Sequence, residues 1–318
     1  MLKDLAERIR TSKNIIEKIE ISPIVQYIDH NTFKSARIFS DIGEDSAAIK
    51  NKDKYILITT DRINTDFIEN FPFGAGFSSI LVSVDDIYAC GGIPIAATII
   101  ISVRDVNTCN TILEGICEAS KKFQVPIIRG HTNPRGTSYE LSSTMIGEIK
   151  KENYISAGNA QVDDNLILAV DSDGRIGKAN ALYFDTTTFK NSEEVIKKRK
   201  AMNIIAEKQL ANASKDISNG GIFGTTLQLI KYSSVGANIN INSIIIPPSL
   251  RDLNYTLEMY IKMYLTTAFI ISAPDENCKE IINILKIQGL ESKVIGKIIK
   301  QKILKINDGK ETIDVIKF

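Results

Sequence analysis

The sequence predicts a two-domain protein of mixed α+β and α/β class. Three observations carry this. The chain has 318 residues and is 43% hydrophobic, enough for two cores or one large one. Its first half alternates apolar strands with amphipathic helices in the order β-β-α-β-α-β-β, ending near Ile149. A turn-rich connection, Ser156–Asp164, then opens a second series of strands and helices. The expected divisions are a helical extension over 1–34, a first domain over 35–152 and a second over 153–318.

Taken in order, residues 1–30 read as one or two helices, the second capped by Ser22 and started by Pro23. Phe33–Phe39 leads into Asp41–Ile49, where a Gly43-Glu44-Asp45 turn feeds a short apolar strand. An ordinary acidic hairpin turn is an equal reading of that stretch. Tyr55–Thr60 is a β-branched strand ending at Asp61, and ligands commonly gather at the carboxyl ends of such strands. Phe77–Tyr88 is an amphipathic helix, stopped by Gly91, Gly92 and Pro94. Its apolar side should pack on the sheet, while the side bearing Ser79, Ser83 and Asp86 leaves room for a phosphate or metal ion. A solvated acidic face is the alternative.

Ile95–Val103 is a strand fit for the centre of a sheet, and Asn107–Phe123 is a helix. Val125–Ile128 is a strand that ends in Arg129-Gly130-His131-Thr132-Asn133, and Leu141–Ile149 is another. Asp45, Asp61, Asp86 and His131 thus come from four segments, each at an element boundary. In the second half, Asn165–Val170, Ala237–Ile241, Ala268–Ser272 and Val294–Ile299 read as strands and Glu193–Leu210 and Glu276–Gln288 as helices. Asp171–Thr188 reads as polar, with a turn at Asp173-Gly174, and the chain closes on a hairpin. Lys215–Gly221 opens the helix Ile222–Tyr232; such an entry caps the helix and can also present N–H groups to an anion.

Composition excludes several classes. A net charge of +1 gives no electrostatic case for nucleic acid or an acidic membrane surface. Apolar runs such as Ala96–Val103 are too short to span a bilayer. The opening MLKDLAERIR lacks a signal-peptide apolar core, so a cytoplasmic protein is expected. Cys90, Cys109, Cys117 and Cys278 form no CxxC pair and read as reduced thiols rather than a zinc site. With His30 and His131 the only histidines, a multi-histidine metal site is excluded.

Six stretches in order resemble a superfamily of ATP-dependent enzymes: GEDSAAI (43–49), TTD (59–61), SVDDIYACGGIP (83–94), RGHT (129–132), SAGNAQVDDNLILA (156–169) and DISNGG (216–221). The superfamily includes aminoimidazole ribonucleotide (AIR) synthetase, thiamine-monophosphate kinase, the hydrogenase maturation protein HypE and selenophosphate synthetase. DSDGRIGKANALYFDTTTFKNSEEV (171–195) and YIKMYLTTAFIIS (260–272) resemble more narrowly the AIR-synthase-related branch that includes methanogenesis marker protein 2.

The resemblance implies an AIR synthetase-like (PurM-like) fold. Its N-terminal sheet would form a barrel across a homodimer, with a C-terminal α/β domain packed against it. ATP would lie in the cleft with its phosphates held by Mg²⁺ on carboxylates. Asp45, Asp61 and Asp86 match the metal-binding acids, with Glu44 a weaker fourth. Gly43, Thr60, Ser83, Arg129, Gly130, His131 and Thr132 fall in the nucleotide-binding motifs. His131, Asp216 and Asn219 are the expected catalytic positions, each with a structural alternative: strand end for His131, helix cap for the others. Asp85 is expected at the surface or behind the ligands, and Asp171, Asp173 and Arg175 in an acceptor pocket.

The chain also departs from the family's motifs. Arg129 and His131 stand where kinase-like members have the first Gly and the acid of GGDT, and Asn219 stands where they have the acid of ISDG. No cysteine precedes Cys90, and the chain ends Val315–Phe318, unlike selenophosphate synthetase and HypE respectively. The expected function is therefore a Mg²⁺-dependent enzyme that uses the γ-phosphoryl group of ATP on an unidentified small acceptor. A thiamine-monophosphate kinase and a nucleotide-binding maturation scaffold are the alternatives.

Overall fold

The computed structural model describes residues 2–40 and 42–318; Asp41, in the expected acidic turn, and the side chain of Ser22 lie outside the described set. Two helices, α1 (Leu2–Arg10) and α2 (Lys13–Asn31), precede the first sheet. The expected helix start at Pro23 is not found: α2 runs through it from Lys13. Its first half is tied down by packing, with Ile15 buried in the second core, while Ile21, Ile24, Tyr27 and Ile28 are exposed.

The first sheet is built from β1 (Ile38–Ser40), β2 (Ala47–Asn51), β3 (Lys54–Arg62), β4 (Ile93–Ser102), β5 (Ile127–Asn133) and β6 (Glu140–Lys150). Their order is β1-β2-β3-β6-β4-β5, antiparallel except for the β4–β5 pair. A short α3 (Thr65–Asn70) leads into α4 (Pro72–Ala89), and α5 (Val106–Phe123) joins β4 to β5. The α4 helix starts five residues before the predicted Phe77, because Pro72 takes the first turn where its missing N–H costs nothing. The α4 and α5 backbones touch through two glycines: a Cβ on Gly76 would sit 2.1 Å from the Ile112 carbonyl oxygen, and one on Gly115 2.1 Å from that of Phe73.

The second half comprises β7 (Asn165–Val170), β8 (Arg175–Ile176), β9 (Tyr183–Asp185), α6 (Ser192–Glu207), β10 (Ala213–Asp216) and α7 (Gly221–Tyr232). It continues with β11 (Gly236–Asn240), α8 (Pro248–Asp252), α9 (Leu257–Ile261), β12 (Tyr264–Leu265), β13 (Ala268–Ala273) and α10 (Asp275–Ile287). It closes with β14 (Glu291–Ile299) and the hairpin β15 (Ile303–Asn307)–β16 (Thr312–Lys317). Seven strands form a sheet in the order β10-β13-β7-β14-β11-β15-β16. Two strands of a small sheet, β12-β9-β8, lie in the stretch 171–188 that reads as polar, since two- and three-residue strands leave no periodicity to detect.

One core runs from the first sheet through α4 and α5 to α6, α10 and β13, so α4 is covered on nearly every side. The predicted orientation of α4 holds in part: Ile87 of its apolar side packs over Gly147 of β6, but Ser79 and Ser83 are buried rather than left open to a ligand. Its serine face packs on the sheet: Ser83 Oγ lies 2.8 Å from Ser143 Oγ of β6, and Ser143 donates to the Ser79 carbonyl. The second core lies between the seven-stranded sheet, α1 and α7. No helix among the described residues is long and apolar enough to cross a membrane.

Candidate functional site

Three segments bring carboxylates together. Asp45 comes from the turn before β2, Asp86 from the last turn of α4, and Asp216 from the end of β10. One oxygen of each lies within 4.8 Å of the others. The turn is shaped by Gly43, at φ +91°, where a Cβ would strike the Tyr232 ring. Asp86 accepts a 2.5 Å hydrogen bond from the Thr59 hydroxyl of β3. Two residues along the same strand face, Asp61 accepts from Ser83 Oγ at 2.8 Å. The Asp45 carboxylate also accepts from the Asp216 backbone N–H at 3.2 Å.

Two ammonium groups answer these acids. Lys215, buried on β10, forms an ion pair with Asp45 and donates to the Gly43 carbonyl at 3.3 Å. Lys18 of α2 reaches in from the other side and donates to Ser218 Oγ at 3.3 Å. Burial, with repulsion from Asp61, Asp216 and Asp45, pushes the Asp86 carboxyl well above the usual carboxylate range. Burial and Asp45 do the same to Asp216, and burial raises Asp61. Burial opposes the charge on Lys215, but Asp45 outweighs it and the net shift is upward. Burial and the nearby Lys215 lower Lys18. Such a set is chemically suited to a hard cation with oxygen ligands.

The other expected site residues are placed differently. Glu44 turns to the second half, accepting from Ser156 Oγ at 2.5 Å and the Ala157 N–H at 2.7 Å, so its carboxylate serves as a tie between the halves. Thr60 points to the opposite face from Asp61 and pairs with Thr144 Oγ at 2.9 Å. Register explains β5. Asp61, Ser143, Ile99 and Gly130 form one cross-strand row, which puts Gly130 three strand spacings, about 14 Å, from Asp61. His131 stands in the next row with Ile100, Ser142 and Arg62, and Arg129 in the row of Thr98, Thr144 and Thr60. Both therefore face the open side of the sheet, away from the acids. Thr132 is exposed on this edge strand. Asn219 is exposed and lines an adjoining 590 Å³ cavity.

Asp85, expected at the surface or behind the ligands, is buried in a two-pronged ion pair with Arg199 of α6, at 2.6 and 3.2 Å. Asp171 is buried between Lys190 (2.8 Å) and Lys198 (2.7 Å) and forms a structural cluster. Sequence reasoning missed Lys18, Thr59 and the role of Lys215. Lys215 adjoins Asp216 in the sixth motif, a signal that could have drawn it in; Lys18 offers none.

The fold, with its two large sheets, and the matches to family domains define an AIR synthase-related protein. The chain belongs to that family: the AIR synthase related protein N-terminal domain matches residues 43–149 and the C-terminal domain residues 163–309. An uncharacterized protein of Methanocaldococcus jannaschii is 35% identical over 319 residues, covering 100% of this chain and 97% of that one. Thiamine-monophosphate kinase of Buchnera aphidicola (from Acyrthosiphon pisum) is 28% identical over 261 residues, covering 76% and 78%. Among solved structures, Thermotoga maritima PurL complexed with ATP superimposes with a TM-score of 0.72 at 12% identity, covering 95% of this chain and 47% of that one. The chain thus spans about half the length of the PurL chain it matches. The superfamily includes members that use ATP and act on small molecules.

Proposed function

We propose that this protein binds ATP through a magnesium ion on Asp45, Asp86 and Asp216 and uses the γ-phosphoryl group on a small acceptor. The observation that carries the reading is the meeting of three carboxylate oxygens within 4.8 Å, from three separate segments. Charge supports a bound cation. Burial and neighbouring acids raise the Asp61, Asp86 and Asp216 carboxyls, and a cation among them would favour their charged forms. Asp45, Asp86 and Asp216 would hold the Mg²⁺, which would supply positive charge against the phosphate groups. Asp61 holds Ser83 and adjoins Asp86, as a fourth acid of the set. Lys18 and Lys215 would hold phosphate oxygens as point charges, a role for which the ammonium group suits.

The test is Mg²⁺-dependent release of ADP from ATP in the presence of a cell metabolite extract. ADP above background supports the reading. ATP binding without ADP would leave the scaffold alternative in its place. Thiamine monophosphate offered as acceptor tests the kinase alternative, supported by the Buchnera relative and opposed by His131 and Asn219.

The reading includes a homodimer. The open face of the first sheet carries Ile93 and Ile100, 55% and 49% exposed, beside Arg129 and His131. A second copy covering that face would bury His131, so Ile100→Lys should convert a dimer to a monomer in sedimentation. A wild-type monomer would remove both the dimer and a catalytic part for His131.

A further inference from the structure

A second cavity, of 510 Å³, opens between the start of α4 and the β8–β9 segment. Its walls include Phe67, Phe71, Phe73, Phe77 and Tyr183. Phe71 and Phe73 are 38% and 41% exposed, which is unusual for aromatic rings at a helix start with apolar core so close. The size suits a small molecule. Flat aromatic walls favour a planar guest, since offset stacking adds to burial. Tyr183 is held flat against Tyr264, with ring centroids 5.4 Å apart and planes 6° from parallel.

The cavity rim is cationic. Arg175 is paired on one side with Asp185 and Thr188, at 3.3 and 3.0 Å, but its side chain remains 55% exposed. Lys178 lines the same cavity and has no ion-pair partner among the described residues. This cavity shares Phe67, Phe71 and Tyr183 with the 590 Å³ cavity that Asn219 lines. Val82 also lines that second cavity, one helical turn before Asp86. The two cavities thus share a wall, and the 590 Å³ one reaches to within a helical turn of Asp86.

We propose that the aromatic cavity binds the acceptor, and that the acceptor is a small planar ring compound carrying an anionic group. The ring would lie between Phe67, Phe71 and Phe77, the anion at Arg175 and Lys178, and the reacting end would extend toward the adjoining cavity that Asn219 lines. The proposal rests on the ATP-using reading of the carboxylate site.

The test uses two fluorescent probes on the full chain. One is 8-anilinonaphthalene-1-sulfonate, planar and anionic; the other is the neutral N-phenyl-1-naphthylamine. Saturable binding is expected for both, tighter for the anion. Phe73→Ser should weaken both at least tenfold, and Arg175→Ala should weaken the anion at least fivefold while sparing the neutral probe. Both variants should melt as folded proteins and keep wild-type affinity for Mg·ATP. Probe binding unchanged in Phe73→Ser overturns the site. Equal affinity for the two probes, with Arg175→Ala affecting neither, overturns the anionic class. Loss of ATP binding or turnover in the wild type with the probe pattern intact would count against the ATP reading and leave the cavity assignment standing.

Discussion

The Lys215 ammonium and the Asp45 carboxylate form a buried ion pair that joins β10 of the second sheet to the turn before β2 of the first. A cation supplied by the chain thus sits within the acidic set. Lys215→Met removes it and leaves Asp45 uncompensated, at a cost of about 3–5 kcal/mol to folding. The variant should therefore melt well below wild type without metal. Added Mg²⁺ should raise its melting temperature more than that of wild type. An equal or smaller Mg²⁺ response would show that Lys215 does not share the cation's place.

Asp86→Asn should leave the fold intact, because the amide oxygen still accepts from Thr59. It removes one charged oxygen from the cluster. Affinity for Mg·ATP should fall at least tenfold in calorimetric titration, about 1.4 kcal/mol or more. Unchanged affinity with normal melting would remove Asp86 from the ligand set.

Arg199 is fully buried, pairs with Asp85 through two nitrogens and lies 4.9 Å over the Phe123 ring. Arg199→Met should destabilise by about 3–5 kcal/mol, since it strands a buried carboxylate. The double variant Asp85→Leu/Arg199→Met should recover most of that loss. Denaturant melts of the four proteins give the coupling, and additive losses would mean that the pair does not act as a unit.

Burial works to raise the Asp185 carboxyl, but bonds from Thr188, Thr187 and Arg175 outweigh it and hold the group below its ordinary value of 3.8. A depressed carboxyl adds stability that is complete above 3.8 and is lost as pH falls through the folded value. Asp185→Asn should thus be less stable than wild type at neutral pH, with the difference closing below pH 3.8. Urea melts at pH 7, 5, 4 and 3 would show it. A constant difference across that range would contradict the assigned bonds.

Much of the first sheet was legible because its strands are long and β-branched, and its helices have clear stops. Motif order names Asp45, Asp61 and Asp86 as metal acids and Asp216 as catalytic; the structure instead brings oxygens of Asp45, Asp86 and Asp216 within 4.8 Å of one another, with Asp61 beside them on Ser83. His131 shows where such reading ends. Its face depends on strand pairing, and a side chain alternates with every residue, so its direction follows from register rather than from local sequence. Lys18 was out of reach for a different reason. It lies 27 positions before Asp45 on a helix with no motif, and its approach to the acids is a product of tertiary packing alone. The β8–β9 segment, with Arg175 and Tyr183, reads only as polar with a turn at Asp173-Gly174, because its strands are too short to alternate.

Helix α4 carries Phe73 near its start and Asp86 near its end, so it acts as a ruler. Thirteen residues at 1.5 Å each separate them by about 20 Å. The close approaches of Gly76 to Ile112 and of Gly115 to Phe73 clamp that rod against α5, so its two ends move together. Changes in the first turn would retune which molecule is admitted while the far end keeps its aim. Insertion of one residue within the rod would rotate one end by about 100° against the other and uncouple the two.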